Sequence, residues 1–187
     1  MKDHTSVIES FLFPELPYRS VKKNTNNIFR NINSKICAQC GGECCKRCGC
    51  HFSPDDFKDL SFEGLKKEME KGYISIDYVD GEMISSLLGV YILRIRNQDA
   101  PIVNMGFGKR GPCILLTEKG CKLKYKNRPT GGKLLIPSDK FDNTFYRRRQ
   151  CKQRYSIYDC CYEWKPHQRL LYDLAEYFHD KDYPCSL

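Results

Sequence analysis

Six cysteines fall within fourteen residues, in the order Cys37, Cys40, Cys44, Cys45, Cys48 and Cys50. A CxxC step turns the chain so that two thiolates can face one cation, and Gly41 and Gly42 supply the permissive backbone such a knuckle needs. A second pair, Cys113 and Cys121, flanks a turn at Glu118-Lys119-Gly120 between two short apolar stretches, the pattern of a hairpin that brings both thiols together. A third group is Cys151, Cys160 and Cys161, and Cys185 stands apart near the C-terminus.

Disulfides fit this arrangement poorly. Cys44-Cys45 and Cys160-Cys161 are adjacent pairs, which strain both a disulfide and the peptide between them. A thioredoxin-like redox pair should sit at a strand-to-helix junction, whereas Cys37 follows an Asn-rich stretch. Metal is the chemistry left. Two thiolates from the first group and two from the hairpin would close a four-ligand site, and such long-range ligation staples a fold. Four thiolates suit tetrahedral Zn2+, with a [4Fe-4S] cluster or iron as the alternative. Cys37, Cys40, Cys44, Cys45, Cys113 and Cys121 are the expected ligands. Twelve cysteines allow a second site, which would draw on Cys48, Cys50, Cys151, Cys160 and Cys161. His51 follows Cys50 but is read as a polar loop residue, because cysteines already exceed the need.

Taken in order, these residues resemble the YkgJ-type cysteine-cluster family, the CxxCxxCC proteins associated with zinc or iron chelation. The resemblance rests on Cys37, Cys40, Cys44 and Cys45, then Ser53-Pro54-Asp55-Asp56, then Cys113-Ile-Leu-Leu, and then Gly120-Cys121 followed by Tyr125 and Arg128-Pro129. It spans roughly residues 37–137 and implies metal chelation without implying a reaction. Two departures stand out. The first motif carries one extra residue, CAQCGGECC, and Gly132 stands where the family has its final cysteine. Cys48, Cys50 or a cysteine of the third group is then the expected substitute.

The elements that must position these thiols read as a small single α+β domain. Ser53-Pro54-Asp55-Asp56 is a helix start, with a Ser cap, Pro in the first turn and two acids at the positive end. It predicts a helix over 54–60, and a second over 62–71 stopped by Gly72. Residues 73–79 alternate at period two and read as a strand; Asp80-Gly81 is a turn, and 90–96 and 102–105 read as further strands. Ser138 or Asp139 could cap a helix through the basic stretch 147–154. Leu170, Leu171, Leu174, Ala175 and Phe178 recur at helical spacing, which predicts a packing helix over 166–179. The organisation expected is an N-terminal extension over 1–36, a cysteine-cluster domain over 37–137, and a basic helical segment over 138–187 packing on it.

Composition bounds the rest. The 187 residues are 41% hydrophobic and 29% charged, which excludes a disordered chain. The opening residues lack a continuous apolar run and the stretch 83–93 is too short to span a bilayer, so a cytoplasmic location away from membranes is expected. Net charge is +8. Arg147, Arg148, Arg149, Lys152 and Arg154 lie beside Phe145, Tyr146 and Tyr155, so a nucleic-acid-binding module with structural zinc is the first alternative. A metal-dependent redox or hydrolytic enzyme is the second, and needs an open coordination position. The favoured view of the charge is different: the cations surround the cysteine groups, where they stabilise an anionic thiolate site. No protein partner is indicated. Residues 106–111 have GxGxxG spacing, but no helix signal follows them.

Overall fold

The computed structural model describes residues 42, 45–84, 88–105, 111–118, 120–137, 151–153 and 155–182. At its centre is a three-stranded sheet of β1 (Ile74–Val79), β2 (Val90–Ile95) and β3 (Val103–Asn104), in the order β2-β1-β3. β1 and β2 are antiparallel, with Ile74 opposite Ile95 and Val79 opposite Val90; β3 runs parallel to β1. Both faces of β1 and β2 are largely buried, as expected where helices cover a sheet rather than leaving one face to water.

Three helices provide that cover: α1 (Phe62–Met69), then α3 (Ile157–Trp164) and α4 (Gln168–Asp182). α3 and α4 lie on β2, α4 reaches β3, and α1 packs on β1 and α4. Leu171, Leu174, Ala175 and Phe178 of α4 are buried with Leu65, Met69, Ile76, Ile92, Leu93 and Trp164 in one core. The stripe expected for the last helix is therefore its packing face. The Gln168 side chain docks on β2 as a strand residue would. It accepts from the Tyr91 amide at 2.8 Å and donates to the Tyr91 carbonyl at 2.9 Å.

Smaller elements complete the mixed α+β fold. A hairpin joins β4 (Leu116–Thr117) to β5 (Gly120–Cys121); a short helix α2 spans Thr130–Lys133; and β6 (Leu135–Pro137) pairs antiparallel with β7 (Cys151–Gln153). Among the described residues no helix is long and apolar enough to cross a membrane.

The structure corrects three local expectations. The helix expected over 54–60 is one 3-10 turn, Pro54–Asp56, with the Ser53 capping box in place. Phe57 leaves it in an extended conformation, and its ring packs 5.1 Å from Phe52 and 6.0 Å from Trp164. Burial of that ring overrides local helix propensity. Cys151–Gln153 is strand where a basic helix was expected, because its backbone pairs with Leu135–Pro137; the rest of 138–150, including Arg147 to Arg149, lies outside the described residues. Helix α3 was not expected. Its signal was Ser156 three residues before Asp159, a capping box that is formed.

One buried charge pair ties the central strands. Arg94 and Asp77 meet at 2.6 Å, and the Ser75 hydroxyl donates to the other Asp77 oxygen at 2.9 Å. Burial pushes the Asp77 carboxyl above its ordinary range, against the pull of Arg94 and the Ser75 hydrogen bond.

Candidate metal centre

The thiols sit where three stretches of backbone meet at the end of β2. The first is the turn after Gly42, whose carbonyl accepts from the amides of both Cys45 and Lys46, at 2.8 and 3.1 Å. The second is 111–114. Its Cys113 amide donates to the Cys45 carbonyl at 2.7 Å, and its Gly111 amide to the Arg47 carbonyl at 3.0 Å. These two rungs set the knuckle directly against the Cys113 strand.

On its other side this strand continues the pairing of β2. The Pro112 carbonyl accepts from Gln98 at 2.8 Å, the Ile114 amide donates to Arg96 at 3.0 Å, and Cys113 is bridged to Asn97. The hairpin follows at once. The Leu116 amide donates to the Cys113 carbonyl, and the β4–β5 register sets Cys121 opposite Leu116. Leu116 in turn lies over Gly42: a Cβ on that glycine would come within 2.7 Å of its Cδ1. Cys45, Cys113 and Cys121 are thus strung along one seam.

The third stretch starts at Gly49. A side chain there would collide with the Ile95 carbonyl, 1.9 Å from an ideal Cβ, so only glycine lets the chain turn this close round the end of β2. Beyond it, Cys50 to Phe52 run along the free edge of β2. The Ile95 amide donates to the Cys50 carbonyl and the Phe52 amide to the Leu93 carbonyl, both at 2.9 Å, with His51 bridged to Arg94.

A further segment closes on this edge. The Gly131 amide donates to the His51 carbonyl at 3.0 Å. The carboxylate of Asp56 accepts from the Ser53 amide at 3.0 Å, the Thr130 amide at 2.7 Å and the Thr130 hydroxyl at 3.0 Å, and lies 3.4 Å from the Lys133 ammonium. One acid therefore completes the Ser53 capping box and clamps α2 to it. The sequence marked Asp56 only as a helix-start residue; the bond to Thr130, 74 positions on, had no local signal.

Some of the expected ligands can be placed. Cys37, Cys40 and Cys44 lie outside the described residues. Cys45, Cys50 and Cys121 are half-buried, Cys48 is exposed and Cys113 is buried. Cys151 contributes its backbone to β7. Cys160 and Cys161 are buried on α3, behind the Cys50 to Phe52 edge. The Cys160 thiol donates to the Phe52 carbonyl at 3.5 Å, beside the Trp164 indole N–H at 2.8 Å on the same oxygen. Burial pushes both thiols up, that of Cys161 to about 12, so both stay protonated at neutral pH. His51 is held neutral: burial, then the charge of Arg94, lowers its pKa to about 4.

Among the described residues no three His, Cys, Asp or Glu side chains are gathered tightly enough to hold an ion. The described donors nevertheless fit a thiolate-binding cation in kind. They are cysteines from separate stretches, fastened side by side by backbone hydrogen bonds, at the C-terminal end of a cysteine run. The Asp56 carboxylate beside the seam is engaged with Thr130 and Lys133.

No curated protein matches the chain, and no solved structure does. A sequence model of the CxxCxxCC family, whose description reads "putative zinc- or iron-chelating domain", matches residues 36–153. That span starts one residue before Cys37 and takes in the knuckle, the Cys113 strand, the hairpin and the clamp. It covers most of the chain, and the protein belongs to the CxxCxxCC family.

Proposed function

We propose that the chain is a metal-binding protein whose cysteines hold zinc, ahead of an iron–sulfur cluster, in a structural or metal-handling role. The ligands are drawn from Cys37, Cys40, Cys44 and Cys45 on one side and from Cys113 and Cys121 on the other. The observation that carries this reading is the hydrogen bond from Cys113 to Cys45. It joins two thiol-bearing stretches 68 positions apart (113 − 45), inside a family associated with zinc or iron. Thiolates taken from both sides would close the seam, and the binding free energy would then be part of the folding free energy.

Charge supports the same reading. A four-thiolate zinc site carries −4 + 2 = −2, as an oxidised cubane cluster does. One site lowers the formal +8 to +6 and two lower it to +4. Arg47 and Lys46 flank the knuckle, and Lys122 and Lys124 follow Cys121, cations that would offset the charge of an anionic thiolate site.

Metal content of anaerobically purified Cys113→Ser and Cys121→Ser variants tests this. Both are expected to lose metal relative to the parent chain. Zinc or iron by elemental analysis, with visible charge-transfer colour only for an iron–sulfur cluster, names the metal. A folded Cys121→Ser chain with undiminished metal would refute the ligand set.

A further inference from the structure

Where α4 passes over β2 and β3, a cleft of about 450 Å3 opens to solvent. Tyr91 and Tyr172 form two of its walls, with ring centroids 6.3 Å apart and ring planes inclined at 67°. Val103, Ala175 and Met105 line it with apolar groups. Glu176 supplies a carboxylate. Its Oε1 accepts from the Tyr172 hydroxyl at 2.7 Å, and among the described residues its Oε2 takes no hydrogen bond. No described lysine or arginine lines the cleft, in a chain whose formal charge is +8; His179 completes the lining. We propose that this cleft binds a small quaternary ammonium compound, its trimethylammonium group seated against the two tyrosine rings with its charge opposite Glu176.

Each part of that group meets a counterpart. An aromatic face carries negative potential and attracts a cation. The Tyr172 ring already does so within the chain: the Arg169 guanidinium, paired with Asp173 at 3.0 Å, lies 5.7 Å from its centroid. The Glu176 charge reaches the other ring as well. After burial and the neighbouring Tyr78, it helps to raise the Tyr91 phenol above its ordinary range. The remaining walls favour methyl groups over N–H donors. A primary ammonium brings three donors that each want an acceptor, whereas Val103, Ala175 and Met105 offer carbon and sulfur. A trimethylammonium group has no donor to leave unsatisfied and removes apolar surface from water. An anion would instead face the Glu176 charge.

The walls are set before a ligand arrives. Gln168 bonds both the amide and the carbonyl of Tyr91, which fixes the register of α4 on β2. One turn on, Tyr172 lands against Tyr91, and the next turn brings Glu176 to the same side. Behind Tyr91 the Tyr78 ring packs at 5.2 Å, in space that Gly89 leaves open: a Cβ there would collide with that ring. Val103 is held by the pairing of β3 with Ile76. Preorganised walls bind with little ordering cost. The volume lies in the range of small-molecule sites, about 300–1,000 Å3. None of the lining residues is a cysteine, so the proposal stands apart from the metal reading.

NMR of the tyrosine ring signals of the full chain, titrated with choline, tests the proposal. Choline is expected to shift the Tyr91 and Tyr172 signals saturably, and 3,3-dimethylbutanol, its neutral isostere, to bind about tenfold more weakly. Tyr172 and Glu176 are both exposed, so their variants keep the fold. Tyr172→Leu, which keeps apolar bulk but removes the ring, is expected to weaken choline about tenfold, and Tyr172→Phe to leave its affinity within about twofold of the parent's. Glu176→Gln, which removes only the charge, is expected to weaken it roughly threefold. Phosphatidylcholine vesicles present the same group on a surface and are expected to leave the signals unmoved. Shifts with vesicles but none with choline would overturn the assignment to a small molecule. Equal affinity for choline and its neutral isostere, or parental affinity in both Tyr172→Leu and Glu176→Gln, would overturn the cation site.

Discussion

Around β1 and β2, order comes from side chains leaving water. Leu65, Met69, Ile76, Ile92, Leu93, Trp164, Leu171 and Leu174 are almost wholly buried, and burying side chains of this size is worth about 1.5–3 kcal/mol each. Along the seam of 45–52, 111–121 and 128–133, order comes from backbone rungs, close approaches at glycine and one clamping acid. Those groups were hydrogen-bonded to water before folding, so each rung contributes only about 1 kcal/mol net. A region built this way needs another source of cohesion, and thiolate ligation is the source its residues are equipped to use.

The contrast predicts different responses to damage. The largest effect should come from the self-sufficient side. Asp77→Ala leaves Arg94 charged and buried without its partner, and should cost about 3–5 kcal/mol, read as a lowered denaturation midpoint. Metal retained per folded chain should be unchanged, since Asp77 lies on β1 and the backbone of Arg94, which carries the bridge to His51, is not altered. Metal lost from the folded fraction would show that the two regions are not separable.

A smaller loss is expected at the clamp. Asp56→Ala removes three hydrogen bonds to one carboxylate and frees α2, at about 2 kcal/mol. Here the diagnostic is local. Hydrogen exchange at the Thr130 and Gly131 amides should quicken while Ile76 and Ile92 stay protected. Uniform quickening across the chain would place Asp56 in the global core instead.

The smallest effect separates a packing thiol from a ligating one. The Cys161 thiol ionises near 9 in the unfolded chain and near 12 in the folded one. Its folded pKa is raised, so its contribution is fully present below pH 9 and is lost as pH rises from 9 towards 12. At pH 10 the loss should be about 1 kcal/mol. Cys161→Ala should flatten this alkaline slope in a series of melts. An unchanged slope would remove Cys161 as its cause.

The same contrast explains what the sequence made legible. Strands β1 and β2 were readable because residues 73–79 alternate at period two and 90–96 form a second apolar run beyond the Asp80-Gly81 turn. The Ser53 cap was readable because capping is local. The packing face of α4 was readable from its spacing. The seam was only half readable. Cysteine spacing announced ligands, but nothing local says that Gly131 meets His51 or that Asp56 reaches Thr130. These are contacts over 70 positions or more, made between turns with no hydrophobic period of their own. Helix α3 went unforeseen for another reason. Ile157, Cys160, Cys161 and Trp164 recur at helical spacing behind the Ser156 cap, but the two cysteines were read as ligands rather than as part of an apolar face.

Hydrogen exchange on the full, metal-loaded chain, before and after a strong chelator, tests the central claim most directly. Metal removal is expected to strip protection from the amides of Cys45, Cys113, Leu116 and Gly131, while Ile76 and Ile92, inside the sheet, keep most of theirs. Identical protection at the seam with and without chelator would contradict the account.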